Sequence, residues 1–388
     1  MKVLHWYPNL LGGGGVAGAV VGLAAAQARA GAEVHLACYE GEERSLYGDR
    51  IPEGAVLHRI AYARRLHLGG NRLVRPPARG EMARLRDIGA DLVHVHGGLN
   101  ADNLWVYGAV ARASVLSPHG AYHPAVIARA RGVKSAWAAF EERRASGGAR
   151  ALHALCPAEA AAVKGLLPGA EVYVAPQGGA SVTAARTSPR PPGAEGPRRV
   201  LSLGRLDVRG KGLDVLVKAF AEAAGGAGAP PMSLAIMGPD PGGAADELRA
   251  LAGGLGVADA VTVSGAVDRS AVPAALAAAD LYAQLSRNEG FGLSLAEALL
   301  CGVPALASDE VGLASFEFIA RLPHVTVCEA GDVGAAAAGI RSMLGRADEL
   351  RAAGSAAAEE VARFLDWDRI AAVHLERYGR LVYPEAAA

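Results

Sequence analysis

The feature that most constrains the fold of this chain is an alternation of short apolar segments with longer alanine-rich or amphipathic segments, which runs twice through its 388 residues. Strands that alternate with helices form mainly parallel sheets with helices on both faces. The first series occupies residues 1–182 and the second residues 199–365. Residues 183–198 contain four prolines and no apolar periodicity, which indicates a linker. The sequence therefore predicts two α/β domains.

Composition and charge narrow the classes of function. Apolar residues make up 51% of the chain and charged residues 20%, which allows a large core and excludes wholesale disorder. The formal net charge is zero, so we expect no nucleic-acid partner. The four cysteines form no CxxC motif, the segment MKVLHWYPN has no leader-like apolar run, and no stretch is long and apolar enough to span a membrane. These features favour a cytoplasmic protein.

One basic stretch, RRLHLGGNRLVRPPAR, stands out in the first half of the chain. Its arginines are Arg64, Arg65, Arg72, Arg75 and Arg79. Such a surface attracts anionic lipids or an anionic substrate, although a solvated loop has the same composition. The stretch leaves contact with a membrane surface open, and it identifies neither an acceptor nor an oligomeric state.

The most informative segment is DLYAQLSRNEGFGLSLAEALLCGVPAL, residues 280–306. Its pattern predicts Glu289 in the loop after a strand and Glu297 in the second turn of the following helix. The glycines between the two acids let the backbone approach a ligand closely. The helix start offers backbone amides that, with the helix dipole, form an anion site suited to a diphosphate. We expect these amides at Phe291, Gly292, Leu293 and Ser294.

The two carboxylates would repel a phosphate and are better suited to accept hydrogen bonds from hydroxyl groups. Glu289 suits the hydroxyls of a sugar and Glu297 those of a ribose. A ligand with two polyol ends and an anionic middle is a nucleotide sugar. The alternative from spacing alone is a pair of exposed helix carboxylates.

A second element, LSLGRLDVRGKGLDVLVKAF, follows the proline-rich segment. A buried strand ends at Gly204, and Arg205 and Lys211 flank a loop with further glycines. Cations at the carboxyl end of a parallel strand can bind a diphosphate and stabilise its charge as it leaves. Solvated basic loop residues have the same pattern.

Together, EGFGLSLAE, the following GVPALAS, GRLDVRGKG upstream and the N-terminal glycine loop resemble glycosyltransferase family 4. The resemblance covers nearly the whole chain. It implies the GT-B fold, in which two Rossmann-like domains with parallel sheets face each other across a cleft. It further implies an acceptor-side first domain, a donor-side second domain, a C-terminal helix at about residues 366–388 that packs back on the first domain, and sugar transfer with retention of anomeric configuration.

The same resemblance implies individual roles. Glu289 would contact the donor sugar, Glu297 the ribose, and Arg205 and Lys211 the diphosphate. Val267 would meet the base, and His119, in VLSPHGAYHP, would face the donor sugar. One segment departs from the family pattern: after GVPALAS the family often has paired glycines and a further glutamate, whereas this chain has DEVGLASFEF with Gly312 alone.

Metal and cofactor signals are weak. His94 and His96 form an HxH pair, but no clustered ligand completes a metal site in the sequence, and no DxD motif is present. We expect no metal and no cofactor besides the nucleotide-sugar co-substrate.

The glycine loop admits two interpretations. Gly13, Gly15 and Gly18 satisfy GxGxxG, and Glu40 closes the second strand, as in a dinucleotide-dependent oxidoreductase. The loop is longer than that motif requires, and Gly14 and Gly15 suit the approach of a donor diphosphate or an acceptor.

The sequence therefore predicts transfer of a hexose-type sugar from a nucleotide diphosphate sugar to a hydroxyl of a small-molecule, glycan or lipid acceptor, in natural-product or cell-envelope biosynthesis. A nucleotide-sugar epimerase, a phosphorylase-like enzyme and a non-catalytic sugar-nucleotide sensor are the alternatives.

Overall fold

The computed structural model describes residues 1–12, 14–40, 51–64, 66–67, 73–107, 111, 113–128, 136, 140, 149–179, 196–226 and 228–384. The chain divides into two compact units. Unit 1 comprises Met1–Gly178 and Leu365–Ala388, and unit 2 comprises Gly179–Phe364. Most of the predicted linker lies outside the described residues.

The strands and helices of unit 1 are β1 Lys2–Trp6, α1 Gly15–Arg29, β2 Glu33–Tyr39, β3 Ala55–Ile60, β4 Leu66–His67, β5 Leu73–Val74, α2 Glu81–Asp87, β6 Leu92–His96, β7 Ala113–Ser117, α3 Pro124–Ala128, β8 Ala149–Ala154, α4 Pro157–Leu166 and β9 Val172–Val174. Seven of the strands form a parallel sheet with the order β3-β2-β1-β6-β7-β8-β9. A short antiparallel pair, β4–β5, lies outside this sheet.

The elements of unit 2 are β10 Arg198–Leu203, α5 Leu213–Ala224, β11 Met232–Met237, α6 Ala244–Gly254, β12 Val261–Ser264, α7 Val272–Ala278, β13 Leu281–Gln284, α8 Leu293–Leu300, β14 Ala305–Ser308, α9 Glu317–Ala320, β15 Val325–Cys328, α10 Val333–Gly345 and α11 Ala347–Phe364. Its six strands form a parallel sheet with the order β12-β11-β10-β13-β14-β15.

The central strands are largely apolar, as expected for parallel strands that are covered on both faces, and His94, His96 and Ser117 are among their buried polar exceptions. Every residue of β6, β7 and β13 is buried. Around the unit 2 sheet the core contains Phe220 of α5 and Ile340 of α10, both fully buried. This two-sided burial explains why the sequence reads as continuous apolar runs.

The last helix, α12 Trp367–Val382, belongs to unit 1. Trp367 packs closely against two glycines, Gly22 and Gly178. A Cβ atom added to Gly22 would lie 2.6 Å from the Trp367 ring, and one added to Gly178 would overlap it. Arg29 donates to Asp368 at 3.0 Å, and Tyr378 is fully buried. The C-terminal segment is thus integrated into the unit 1 core.

Each sheet has one place where the strand order changes direction, and ligands of parallel sheets bind beyond the carboxyl ends of the strands there. In unit 1 this switch point lies between β1 and β6, and in unit 2 between β10 and β13. The loops that begin at Gly204 and after Gln284 leave the unit 2 switch point side by side. A ligand site of unit 2 is therefore expected at those two loops.

Candidate functional site

A small cavity that opens to solvent lies at the switch point of unit 2. Its lining includes the ends of β10 and β13 and the loops that follow them, with Gly204, Arg205, Lys211, Gln284 and Ser286. The structure thus brings the two predicted cations, Arg205 and Lys211, to one cavity. Arg205 is exposed, while the Lys211 side chain is 24% exposed.

Glycines make the close approach of these loops possible. A Cβ atom on Gly212 would overlap the carbonyl oxygen of Leu285, and one on Gly238 would overlap that of Gly204. Gly212 also has a φ of +61° and precedes α5 as its N-cap. The glycine that follows Lys211 is therefore required by backbone packing between the β10 and β13 loops.

Lys211 Nζ donates to Glu289 Oε2. Gln284 Nε2 donates to the same carboxylate oxygen at 3.1 Å, and Ser294 Oγ donates to Gln284 Oε1 at 3.3 Å. The Glu289 side chain is 19% exposed. The predicted sugar-binding acid and the predicted phosphate-binding lysine are hence one ion pair, oriented by a glutamine that sequence reasoning missed.

The segment DEVGLASFEF, which departs from the family pattern, supports the Glu289 loop. Glu289 N–H donates to the Glu310 carbonyl at 3.1 Å, and Gly312 N–H donates to the Glu289 carbonyl at 2.9 Å. Leu313 N–H donates to the Phe291 carbonyl at 2.6 Å. The backbone of the divergent segment therefore fixes the loop by strand-like pairing.

Helix α8 begins after Gly292, whose φ is +98°. The first helical hydrogen bond joins Ala296 N–H to the Gly292 carbonyl, so the amides of Leu293, Ser294 and Leu295 precede the helical ladder. The prediction, which began these amides at Phe291, placed the helix start one residue too early, because Gly292 is the N-cap. Phe291 is only 3% exposed and packs in the core.

Glu297 lies in the second turn of α8 and is buried. Burial raises the pKa of its carboxyl group, and Arg269 opposes that shift. Arg269 Nη2 donates to Glu297 Oε1 at 3.1 Å. Sequence reasoning missed this partner because the two residues are distant in sequence. Val267, half-buried, lies in the segment between β12 and Arg269.

His119 lies in unit 1, two residues after β7, and has a φ of +53°. Its Nε2 is 3.1 Å from Nδ1 of His96, and burial lowers the pKa of the His119 ring to about 3. The next amide, Gly120 N–H, donates to Oε1 of the buried Glu159 at 2.5 Å. Glu159 Oε2 also accepts from Leu155 N–H at 2.7 Å, so this acid ties the His119 loop to the start of α4.

The glycine loop of unit 1 lies at the amino end of α1. Gly14 is its N-cap, with a φ of +94°, and Gly15 is its first residue. The Gly15 carbonyl accepts from Gln177 Nε2 at 3.3 Å. Gly13, which completes the GxGxxG pattern, lies outside the described residues.

The HxH pair gains a third member in the structure, because β1 places His5 beside it. Nitrogen atoms of His5, His94 and His96 lie within 4.8 Å of one another, a geometry that could hold a metal ion. The sequence pattern indicated no completing ligand, because His5 is 89 residues from His94 and only strand pairing aligns them in register. However, both nitrogens of each ring are engaged in hydrogen bonds.

The basic stretch is only partly a surface feature. Arg75 Nη2 donates to the buried Asp102 at 2.7 Å, and its guanidinium lies 4.6 Å from the centre of the Tyr39 ring. Arg75 is therefore a structural residue, while Arg64 and Arg79 are exposed and Arg65 and Arg72 lie outside the described residues. Among the helices that the structure describes, none has the length and apolarity needed to cross a membrane.

Two family models match the chain in succession. "Glycosyltransferase Family 4" matches residues 13–178, and "Glycosyl transferases group 1" matches residues 185–361. The phosphatidyl-myo-inositol mannosyltransferase of Mycobacterium leprae is 34% identical over 190 residues, 47% of this chain and 46% of that protein. A D-inositol 3-phosphate glycosyltransferase of Xylanimonas cellulosilytica is 35% identical over 184 residues, 47% of this chain and 42% of that protein. The chain thus matches a little under half the length of these curated relatives.

Solved structures resemble the fold over its full length. Sucrose-phosphate synthase from Thermosynechococcus elongatus superimposes with a TM-score of 0.73 at 20% identity, covering 100% of both chains. HepE of Anabaena in complex with UDP and glucose superimposes with a TM-score of 0.74 at 18% identity, covering 98% of this chain and 100% of that one. These neighbours confirm the predicted GT-B fold class. The two successive family models, which together match residues 13–178 and 185–361, show that the chain belongs to glycosyltransferase family 4.

Proposed function

We propose that this protein transfers a hexose from a nucleotide diphosphate sugar to a hydroxyl of a small-molecule, glycan or lipid acceptor, with retention of anomeric configuration. The observation that carries the proposal is the unit 2 cavity, where Arg205 and Lys211 lie together and Lys211 pairs with Glu289. Family membership supports sugar transfer, and the structural neighbour HepE was solved in complex with UDP and glucose.

The chemistry of the cavity fits a diphosphate. Lys211 has three N–H donors, so one can remain on Glu289 while the others bind phosphate oxygens. Arg205 adds a second cation, and the first amides of α8 add the positive end of a helix dipole. The Ser286 hydroxyl lines the cavity and, among the described residues, has no hydrogen-bond partner, which indicates a place for a polar ligand.

The two acids suit the ends of such a ligand. Glu289 accepts sugar hydroxyls, and Glu297 accepts ribose hydroxyls through Oε2, because Arg269 occupies Oε1. We place the base near Val267, as family resemblance implies, and a sugar hydroxyl on His119. Gly14 and Gly15 offer exposed backbone to a diphosphate or an acceptor. By the same resemblance, unit 1 serves the acceptor and unit 2 the donor.

In the proposed reaction the acceptor oxygen forms a bond to the anomeric carbon on the face from which the diphosphate leaves. The bond between that carbon and the phosphate oxygen breaks, its electron pair goes to the diphosphate, and a diphosphate oxygen takes the proton of the attacking hydroxyl. Arg205, Lys211 and the α8 amides stabilise the charge that develops, and the remaining work is positioning. No protein side chain forms a covalent bond to the sugar in this scheme.

Calorimetry with UDP, GDP, dTDP and ADP tests donor recognition, followed by NMR analysis of the anomeric configuration of the product made from the matching nucleotide sugar. We expect one diphosphate to bind, its affinity to fall in the Lys211→Ala variant, and the product to keep the donor's configuration. Lys218→Ala, an exposed lysine of α5 in the same unit, is the matched control. Unchanged affinity in Lys211→Ala, or an inverted product, contradicts the proposal.

A further inference from the structure

Eight side chains of unit 1 form an uninterrupted hydrogen-bonded chain through its core, here called the histidine relay. It is anchored on the Ala175 carbonyl and ends at His119. From the His119 end inwards its links are His119–His96 at 3.1 Å, His96–His5 at 3.0 Å, His5–Gln27 at 2.7 Å, Gln27–Tyr378 at 3.4 Å, Tyr378–His94 at 2.6 Å, His94–Ser117 at 2.6 Å, Ser117–His153 at 2.6 Å and His153–Ala175 O at 2.9 Å.

The anchored end fixes the direction of the first links. A carbonyl oxygen only accepts, so His153 Nε2 carries the proton and His153 Nδ1 has a lone pair. Ser117 must therefore donate to His153 Nδ1, and its oxygen accepts from His94 Nε2–H. His94 Nδ1 is left with a lone pair, to which the Tyr378 hydroxyl donates.

The outer links follow the same direction. Tyr378 accepts from the Gln27 amide N–H, and the Gln27 carbonyl oxygen accepts from His5 Nε2–H. His5 Nδ1 then accepts from His96 Nε2–H, and His96 Nδ1 accepts from His119 Nε2–H. All links thus donate in one direction, towards Ala175. His119 emerges with its proton on Nε2 and a lone pair on Nδ1.

This arrangement requires every ring to be neutral, since a charged imidazole has two donors and breaks one link. Burial lowers the pKa of His5 and His153 to about 4 and that of His119 to about 3. It lowers the pKa of His94 and His96 well below the usual value. At neutral pH the five rings are therefore uncharged.

Reversal of the relay is penalised at a single point. The relay can reverse only if the Gln27 amide also turns over, so that its N–H faces His5 and its oxygen faces Tyr378. In that reversed relay, His153 Nε2 would present a lone pair to the Ala175 carbonyl oxygen 2.9 Å away. A buried pair of acceptors without a proton between them is strongly unfavourable. The Ala175 carbonyl thus determines a tautomer eight hydrogen bonds away.

We propose that the histidine relay fixes the tautomer of His119 so that its Nδ1 accepts a hydrogen bond from a hydroxyl of the sugar ligand. Among the described residues, His119 Nδ1 is the one relay nitrogen without a protein partner, and the half-buried ring follows β7 on backbone held by Glu159. His119 would contact the ligand, while the other relay members are positioning residues. The identity of the ligand rests on the proposed function; the tautomer does not.

A ring nitrogen that accepts a hydrogen bond distinguishes a sugar hydroxyl from a fluorine atom. A sugar hydroxyl can donate to Nδ1, whereas a fluorine atom at the same ring position cannot and would leave the nitrogen unpaired. If Nδ1 carried the proton instead, the fluorine would be an acceptable, though weak, partner. Fluorinated sugars therefore distinguish the two tautomers.

The direct test is nitrogen NMR of the ¹⁵N-histidine-labelled full chain at neutral pH, with His119 assigned by the His119→Asn variant. We expect a single His119 tautomer with the proton on Nε2. Ser117→Ala and Tyr378→Phe each cut the relay at a different point, so the outer segment can reverse and the His119 signal should show both tautomers. Tyr173→Phe is the matched control, because Tyr173 is buried and its hydroxyl bonds His374, outside the relay, at 2.9 Å.

The second readout is transfer from a panel of monofluorinated nucleotide sugars. For each fluorinated donor we compare its rate of transfer with that of the unmodified donor. At one ring position we expect fluorine to lower this rate at least about tenfold more in wild type and in Tyr173→Phe than in Ser117→Ala. A His119 proton on Nδ1 in wild type, or a single unchanged tautomer in both cut variants, overturns the relay. If added Zn²⁺ shifts the ¹⁵N signals of these histidines, the relay is overturned in favour of a metal site at His5, His94 and His96. Correct tautomers without any nucleotide-sugar binding would instead overturn the proposed function alone.

Discussion

Lys211 Nζ donates to the Glu289 carboxylate and thereby joins the loop after β10 to the loop after β13, across 78 residues of sequence. Gln284 donates to the same oxygen at 3.1 Å. The pair neutralises its own charge while no ligand is bound, and it leaves two lysine donors for an anion. The candidate site is therefore coupled: a change in either residue alters the environment of the other.

Loss of either member of this pair should remove most of the transfer activity. We expect Lys211→Ala and Glu289→Ala each to lower kcat/KM by about 10²–10³-fold, the usual effect of losing one group that stabilises transition-state charge. Because the residues are in contact, the double variant should lose less than the product of the single effects. Initial rates of transfer measure this. Lys218→Ala and Glu222→Ala, exposed on α5, are the controls, and full activity in both folded single variants would exclude the assignment.

Gly212→Ala should destabilise unit 2. Its added Cβ would overlap the Leu285 carbonyl oxygen, and its φ of +61° is unfavourable for alanine. We expect a loss of at least about 2 kcal/mol in the free energy of unfolding, measured by denaturant titration followed by circular dichroism. Gly253→Ala, in the last turn of α6 with open space around it, should instead gain about 0.4–1 kcal/mol. Equal stability of the two variants would contradict the close packing of the loops.

Arg269→Ala should change how nucleotide binding depends on pH. Burial raises the pKa of Glu297 and the Arg269 charge lowers it, so removing Arg269 raises that pKa further. The variant carboxyl group then takes up a proton at a higher pH than in wild type, and a protonated acid is a poorer acceptor for ribose hydroxyls. Calorimetry with the matching nucleoside diphosphate at pH 7.5, 6.5 and 5.5 should show affinity falling at a higher pH in Arg269→Ala. Arg321→Ala, in a surface pair with Glu317, should keep the wild-type profile.

Acid should destabilise unit 1. Six of its histidines, namely His5, His94, His96, His119, His153 and His374, have pKa values lowered by burial from about 6.5. Between pH 6.5 and 4 the unfolded chain binds protons that the native unit does not. The free energy of unfolding therefore decreases as the pH is lowered, by up to about 1.4 kcal/mol per histidine per pH unit. Glu159 has the opposite effect on stability, because burial raises the pKa of its native carboxyl group to about 7. Just below that pH the native unit holds a proton that the unfolded chain does not, which stabilises the native unit. One such group is outnumbered by six histidines.

Urea unfolding at pH 7.5, 6.0 and 5.0 measures this dependence. All four tryptophans lie at positions 6, 105, 137 and 367, within unit 1, so their fluorescence reports that unit. A stability that stays level or rises between pH 6.0 and 5.0 would contradict neutral burial of the histidines.

The sequence alone was sufficient for the parallel α/β elements, the family and the fold class, because these depend on local information. Apolar runs buried on both faces identify strands such as β13, and glycines at helix starts such as Gly292 identify loops that approach a ligand. The order of Arg205, Lys211, Glu289 and Glu297 along the chain likewise indicated anion and hydroxyl recognition, and the roles assigned to these residues stay predictions.

Only the tertiary structure decided which side chains meet. The pairs Lys211–Glu289 and Arg269–Glu297 depend on loops brought together by strand order, and the divergent segment around Gly312 supports Glu289 only through backbone pairing. In the sequence, His94 and His96 form only an HxH pair that no clustered ligand completes. The register of β1, β6 and β7 and the return of α12 place them in a relay with His5 and Tyr378. Hydrogen bonds between side chains distant in sequence require a fixed three-dimensional register, and no local pattern encodes it.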